Sequence, residues 1–234
     1  MKRAFSEFRS LLRSVPPLLV SLMILSVVGM NLLANKSIHT GVSWLALDCG
    51  ILLSWLCFLC MDILTQAYGP RAATLLALTA LGMNLLMASF FFLASLIPGD
   101  WGESYVEGSQ ALINHALNRT FGGSWFVILG SSVAFAGSAL LNNFLNHDIG
   151  RLLGREGFGA FAVRAYVSTF AAQFADNLIF ALLVSRLFFG WTLLQCFTCA
   201  LTGGLMELLF EVVFSPLGYR LSRGILAGAR VQEG

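Results

Sequence analysis

The sequence predicts an all-α, polytopic membrane protein with six transmembrane helices and both termini in the cytoplasm. Three observations predict it. Apolar residue types make up 57% of the 234 residues and charged ones only 11%. Several apolar runs reach the roughly 20 residues needed to cross a hydrocarbon core. Basic residues are distributed unevenly between alternate connections. This composition excludes soluble catalytic and nucleic-acid-binding folds, and a formal net charge of +2 gives no sign of a polyanionic partner. The chain reads as one domain, residues 1–234.

The first span, residues 16–34, opens on Pro16 and Pro17, which a helix tolerates in its first turn. Lys2, Arg3, Arg9 and Arg13 precede it in the manner of a secretory signal. No small-residue cleavage site follows and further spans do, so a retained first helix is expected. Asn31 and Asn35 stack one turn apart at its far end, before Lys36, as an ordinary helix exit with a snorkelling lysine would have them.

The second span, residues 43–68, carries Trp44 at the interface and stops at Gly69-Pro70. Asp48 reads as interfacial decoration. Asp62, Thr65 and Gln66 share a face in the last turns, with Arg71 just beyond, a pattern that suits an internal polar group or a solvated helix end equally. The third span, residues 72–97, ends at Pro98-Gly99-Asp100. In the connector to Ser124, Val106, Gln110, Ile113, Leu117 and Phe121 recur at helical spacing and predict a short helix lying on the membrane.

The fourth span, residues 125–145, carries a polar stripe of Ser138, Asn142 and Asn146, while Gly130, Ala134 and Ser138 permit close helix approach. His147-Asp148, beside Arg151 and Arg155, reads as a solvated loop. The fifth span, residues 164–186, is bounded by Arg164 and Arg186. The sixth, residues 190–214, contains Gly203-Gly204, Glu207 and Glu211, and stops at Ser215-Pro216. Two C-x-x-C pairs, Cys57/Cys60 and Cys196/Cys199, lie inside apolar spans. There they serve as small hydrophobes rather than as a zinc site or a disulfide framework, and no metal or other cofactor is expected.

The candidate site residues are the acids and amides inside these spans. A carboxylate at the centre of a membrane helix costs roughly 2.5–3.5 kcal/mol on insertion scales, so Asp176 calls for a partner or a ligand. Thr169, Gln173 and Asp176 follow at spacings of four and three and share a face, with Asn177 alongside. For Ser168 and Thr169, hydrogen bonding between neighbouring helices explains the pattern as well as ligand binding does. Glu207 and Glu211, one turn apart, repel unless one is protonated, water reaches both or a cation intervenes, and Arg71 and Arg164 are the candidate cations.

Orientation follows from the basic residues. Eleven fall on one side (Lys2, Arg3, Arg9, Arg13, Arg71, Arg151, Arg155, Arg164, Arg220, Arg223, Arg230) and three on the other (Lys36, Arg119, Arg186), which places both termini inside. An intramembrane enzyme would need a nucleophile with its base or a metal cluster, and the three histidines, His39, His115 and His147, all sit near predicted loops. A passive scaffold would not need polar faces on four helices at once. Transport is the expectation, and enzymatic activity is not.

Five segments resemble, in order, the queuosine precursor transporters, also called the vitamin uptake transporter family: NLLANK (31–36), DILTQAYGPR (62–71), SSVAFAGSALLN (131–142), STFAAQFADNLIF (168–180) and FEVVFSPLGY (210–219). The resemblance covers most of the chain. It departs from the family pattern at Gln66, Ala139, Asn142 and Glu207, where the family has Glu, Gln, Asp and Lys. It implies import of 7-deazaguanine bases such as preQ0, preQ1 or queuine across the bacterial cytoplasmic membrane. Substrate-binding residues would then come from Asp62, Gln66, Asn142, Thr169, Gln173, Asp176, Asn177, Glu207 and Glu211. Asp176 would accept from the N1–H and amino edge, and Gln173, Asn142 or Gln66 would face O6. Glu207 with Glu211 would suit a cargo amine, and Phe135, Phe180 and Tyr68 are candidates for stacking. The implied partners are a nucleobase-like small molecule and membrane lipid, without nucleic acid; self-association, energy source and the exact base stay open, as does cargo of another base or vitamin.

Overall fold

The structure is a computed structural model that describes residues 9–38, 40–45, 47–101, 108, 110–123, 125–153, 157–188 and 190–232. Lys2, Arg3, His39, Glu103, Val106, Glu107, Ser124 and Arg155, and the side chains of Gln110 and Arg230, lie outside the described residues. The fold is helical. In chain order it comprises α1 (Pro17–Leu33), a two-stranded hairpin of β1 (Ser37–Ile38) and β2 (Leu47–Asp48), α2 (Ile51–Tyr68), α3 (Pro70–Leu96), α4 (Gln110–Gly123), α5 (Trp125–Leu153), α6 (Phe158–Phe180) and α7 (Leu193–Gln232). Beyond Phe180, α6 continues as a π-helical turn, Ala181–Ser185, and a last α-helical turn, Arg186–Phe188.

Five helical stretches are long and apolar enough to cross a membrane: Ile51–Tyr68, Pro70–Leu96, Ala111–Leu153, Phe158–Phe188 and Leu193–Ala227. The apolar Pro17–Leu33 is shorter, 17 residues, or about 26 Å at the helical rise. The protein is therefore an all-α polytopic membrane protein. Centrally, α6 packs along both α5 and α7, with α2 between α1 and α7. Of the five candidate spans α3 is the least buried, and it turns Leu78, Met83, Leu86, Phe90, Leu93 and Leu96 outward. In lipid, such a face needs no protein partner.

Several element ends differ from the sequence reading, each for a local reason. The second helix begins at Ile51 and not near residue 43, because Ser37 and Ile38 pair antiparallel with Asp48 and Leu47. Apolar Trp44, Leu45 and Leu47 belong to this hairpin, which is tied down where Thr198 Oγ1 donates to Trp44 O at 2.6 Å and Gln195 Nε2 to Ser43 O at 2.9 Å. A single residue, Gly69, separates α2 from α3. Its φ of 88° and ψ of 168° place it where only glycine sits without strain.

Helix α5 runs to Leu153, so His147 and Asp148 sit in a helix rather than a loop, because Asn146 is buried and hydrogen-bonded inside the bundle. Helix α6 starts at Phe158, which moves Arg164 from a boundary to the interior, 1% exposed. Arg164 is therefore not a loop cation, and the basic bias survives without it. Helix α7 continues through Pro216 to Gln232. The proline cannot donate to the Val212 carbonyl, but Ser215 Oγ does so at 3.1 Å, which replaces the lost bond.

Helix α4 forms inside the predicted connector and packs against α3, with Phe91 and Phe121 at 4.9 Å and Trp101 stacked on Phe121 at 5.2 Å. The four cysteines of the two C-x-x-C pairs are buried free thiols within the helices.

Candidate functional site

Polar side chains gather in two groups inside the bundle. The first lies towards the α2–α3 and α5–α6 turns and centres on Asp62, which has no solvent exposure. Asn142 Nδ2 donates to Asp62 Oδ1 at 3.0 Å, Asn146 Nδ2 to the same oxygen at 2.8 Å, and Thr169 Oγ1 to Oδ2 at 3.2 Å. Three helices, α5, α6 and α2, are thus joined through one carboxylate. The buried Arg164 guanidinium lies within electrostatic reach of it. Beside this knot, Thr65 Oγ1 donates to Asn143 Oδ1 at 3.2 Å and Asn143 Nδ2 to Thr74 Oγ1 at 3.0 Å. Gln66 is buried here too, so the end of α2 is internal rather than solvated.

The second group lies beneath the β-hairpin. Asp48, Ser54, Asn31, Ser131, Asp176, Asn177 and Glu207 line a cavity of about 30 Å³ together with apolar Met30, Ile51 and Phe180. Ser54 donates to Glu207 and Ser131 to Asn31, both in close contact. Ser138 Oγ donates to Asp176 Oδ1 at 2.7 Å. Asn177 Nδ2 turns back to the Gln173 carbonyl at 2.9 Å. Asp48 Oδ1 accepts from the Gly50 N–H at 2.7 Å, which fixes the entry to α2. Burial pushes the Asp48 carboxyl up from 3.8 to about 6, partly opposed by that Gly50 hydrogen bond.

Gln173 lies between the groups on α6, one turn after Thr169 and one before Asp176. It is fully buried, and neither its Nε2 nor its Oε1 meets a hydrogen-bond partner among the described residues. Glu211, also fully buried, has both carboxyl oxygens in the same condition.

The arrangement corrects several sequence expectations. Thr169 and Asp176 share a helix face but belong to different groups, one bonded to Asp62 and the other to Ser138. Glu207 and Glu211 are likewise divided: Glu207 faces Ser54 under the hairpin, whereas Glu211 is in electrostatic contact with Asp62. Arg71 is exposed at the start of α3, beside Leu75 and Phe144 on the outer face, and so does not sit between the glutamates. Asp48 is no decoration, and Asn31, 1% exposed, is more than a helix exit. The sequence held one usable signal for Asp48, its place two residues before a glycine at a helix start. Of the aromatics, Phe180 lines the cavity, Phe135 packs edge-on against Phe58 at 6.5 Å, and the Tyr68 hydroxyl donates to Ser14 O at 2.7 Å.

A much larger groove, about 480 Å³, lies between Leu85, Phe92, Leu93, Trp125 and Leu129 on α3 and α5. Its walls are almost wholly apolar and face outward, as expected of a surface that meets lipid tails. A small-molecule site needs convergent polar groups, which the bundle interior supplies.

Acids and amides on five helices, inside the bundle of a membrane protein, suit recognition of a polar solute in transit. The comparison with family models agrees: the model of the family of proposed vitamin uptake transporters matches residues 48–221, which includes every interior acid described above. Searches of curated proteins and of solved structures give no match. With three quarters of its length matched, this multi-pass membrane protein belongs to the vitamin uptake transporter family.

Proposed function

We propose that the protein imports queuosine precursors, 7-deazaguanine bases such as preQ0, preQ1 or queuine, across the bacterial cytoplasmic membrane, with both termini inside. Gln173 is the observation that carries this reading. A fully buried amide with neither end engaged costs about 1–3 kcal/mol per unsatisfied group, and a ligand that engages it recovers that cost. A 7-deazaguanine presents O6 as an acceptor beside N1–H and the exocyclic amine as donors. Gln173 would donate from Nε2 to O6 and accept at Oε1 from N1–H, and Asp176, less than one turn further along α6, would stand beside the substituent that neighbours O6. The five resembling segments support this cargo.

The cavity of about 30 Å³ is far below the ~300 Å³ or more typical of small-molecule sites. Base-sized cargo therefore enters only when the helices part, and the conformation described is a closed one in an alternating-access cycle. The test is complementation of a bacterium that cannot make preQ1 and lacks its own importer, with queuosine in tRNA as the readout. Wild type should restore queuosine, and Gln173→Leu and Asp176→Asn, at matched membrane levels, should not. Failure of the wild type with all three bases, despite normal insertion, would turn the reading to a different base or vitamin. Unimpaired restoration by Asp176→Asn would remove that residue from the site.

A further inference from the structure

The cavity under the hairpin has three carboxyl groups, Asp48, Asp176 and Glu207, and no Lys, Arg or His among its lining residues. Two of the three come from helices, α6 and α7. The third comes from the hairpin that closes over them. Their own hydrogen bonds are few: Glu207 takes one from Ser54 and has the Asn177 amide beside it, Asp176 takes one from Ser138 and Asp48 one from the Gly50 backbone. Glu207 is 2% exposed, and its Oε2 has no hydrogen-bond partner among the described residues. Carboxyl groups this close, without a cation between them, repel in a medium of low dielectric constant. Their remaining lone pairs form an acceptor-rich cup. Such a cup suits an ammonium, which has three donors and no acceptor. A volume of about 30 Å³ is of the order of one water molecule, the size of an –NH₃⁺ group and much smaller than a ring.

We infer that Asp48, Asp176 and Glu207 form a subsite for an alkylammonium group on the cargo, so that the protein prefers a 7-deazaguanine with a protonated aminomethyl arm over the neutral nitrile. This rests on the cargo class proposed above and assigns its charged end. The ring lies towards Gln173, on the bundle side of Asp176, and the arm points to the hairpin. Asp48 then links binding to the hairpin, since the residue that meets the ammonium also fixes the entry to α2.

Binding by the purified, detergent-solubilised protein tests this with two probes that differ in the arm alone, preQ1 and preQ0. Asp48→Asn and Glu207→Gln are suitable variants, because the amide oxygen that each introduces can still accept, from the Gly50 N–H in the first and from Ser54 in the second. Each variant should weaken preQ1 binding by about tenfold or more, the loss of a charge-assisted hydrogen bond, and change preQ0 binding by less than about twofold. Equal weakening of both probes, or of neither, overturns the ammonium subsite and leaves the proposed cargo class standing. The same is true if replacing sodium with potassium in the buffer abolishes both in wild type, which would make the cup a coupling-ion site. Binding of neither probe by wild type overturns the cargo class and the subsite with it.

Discussion

Asp62 and Glu207 are both buried acids in a membrane bundle, yet their surroundings are opposite. Around Asp62 the protein spends three neutral donors from two helices on one carboxylate and adds the Arg164 charge nearby, which offsets the neighbouring acid Glu211. Around Glu207 it offers Ser54 and the Asn177 amide, and then two further acids in the same cavity. The first is satisfied by the fold and joins helices; the second is left to be satisfied by something else. Burial of an acid thus does not mark a ligand site by itself. The number of donors already committed to it does.

The sharpest way to break this contrast is Asp62→Leu, which leaves Asn142, Asn146 and Thr169 with buried groups facing a hydrocarbon side chain. Destabilisation of more than about 3 kcal/mol is expected, read as loss of folded protein in thermal scans of the detergent-purified chain. If Asp62→Leu remains as stable as wild type, the knot is not structural. Asp176→Asn should show the reverse profile, with uptake down by about tenfold or more and the thermal midpoint nearly unmoved, because the amide can still accept from Ser138.

Asp48 gives a pH-dependent comparison. Its folded value, about 6 against 3.8, means that the folded protein holds this proton more tightly than the unfolded chain does. Its contribution to stability is therefore complete below pH 3.8 and is lost as pH rises through about 6, a fall of about 3 kcal/mol. Asp48→Asn should flatten that part of the stability profile, and an unchanged slope would exclude Asp48 as its source. The smallest effect is expected for Thr169→Val, which removes one of the donors to Asp62 and should cost about 1 kcal/mol, with uptake retained.

Most of the fold was legible from hydropathy, because a run of bilayer length can hardly be anything but a helix. Helix ends were less so. Trp44, Leu45 and Leu47 are apolar enough to extend α2, and only the pairing of Asp48 with Ser37 excludes them from it. Pro216 is a stop by every local rule, and it fails to stop α7 because the neighbouring hydroxyl of Ser215 takes over the freed carbonyl. At the site, helical spacing found Asp62, Thr169, Gln173, Asp176 and Glu207, all of them interior. It could not divide them, since a shared face says nothing about which neighbouring helix each turn meets. Asp48 escaped because its burial depends on a hairpin folding over the bundle, a tertiary event without periodicity.

The π turn at Ala181–Ser185 has its own consequence. A π turn accommodates one residue more than the α-helix it interrupts, so the segment after it is set by a count of residues as much as by their identity. Beyond it, Phe188 stacks on Phe126 at 5.1 Å with an angle of 21° between the rings. Removing one residue from 181–185 would return α6 to an uninterrupted helix with Arg186 to Phe188 in nearly the same phase, because the wider turn advances about as far with its extra residue as an α turn does without it. The two rings would stay opposed, whereas a deletion elsewhere in α6 would turn the segment by about 100° and separate them. In this part of the chain, the phase of the helix is itself an inherited character.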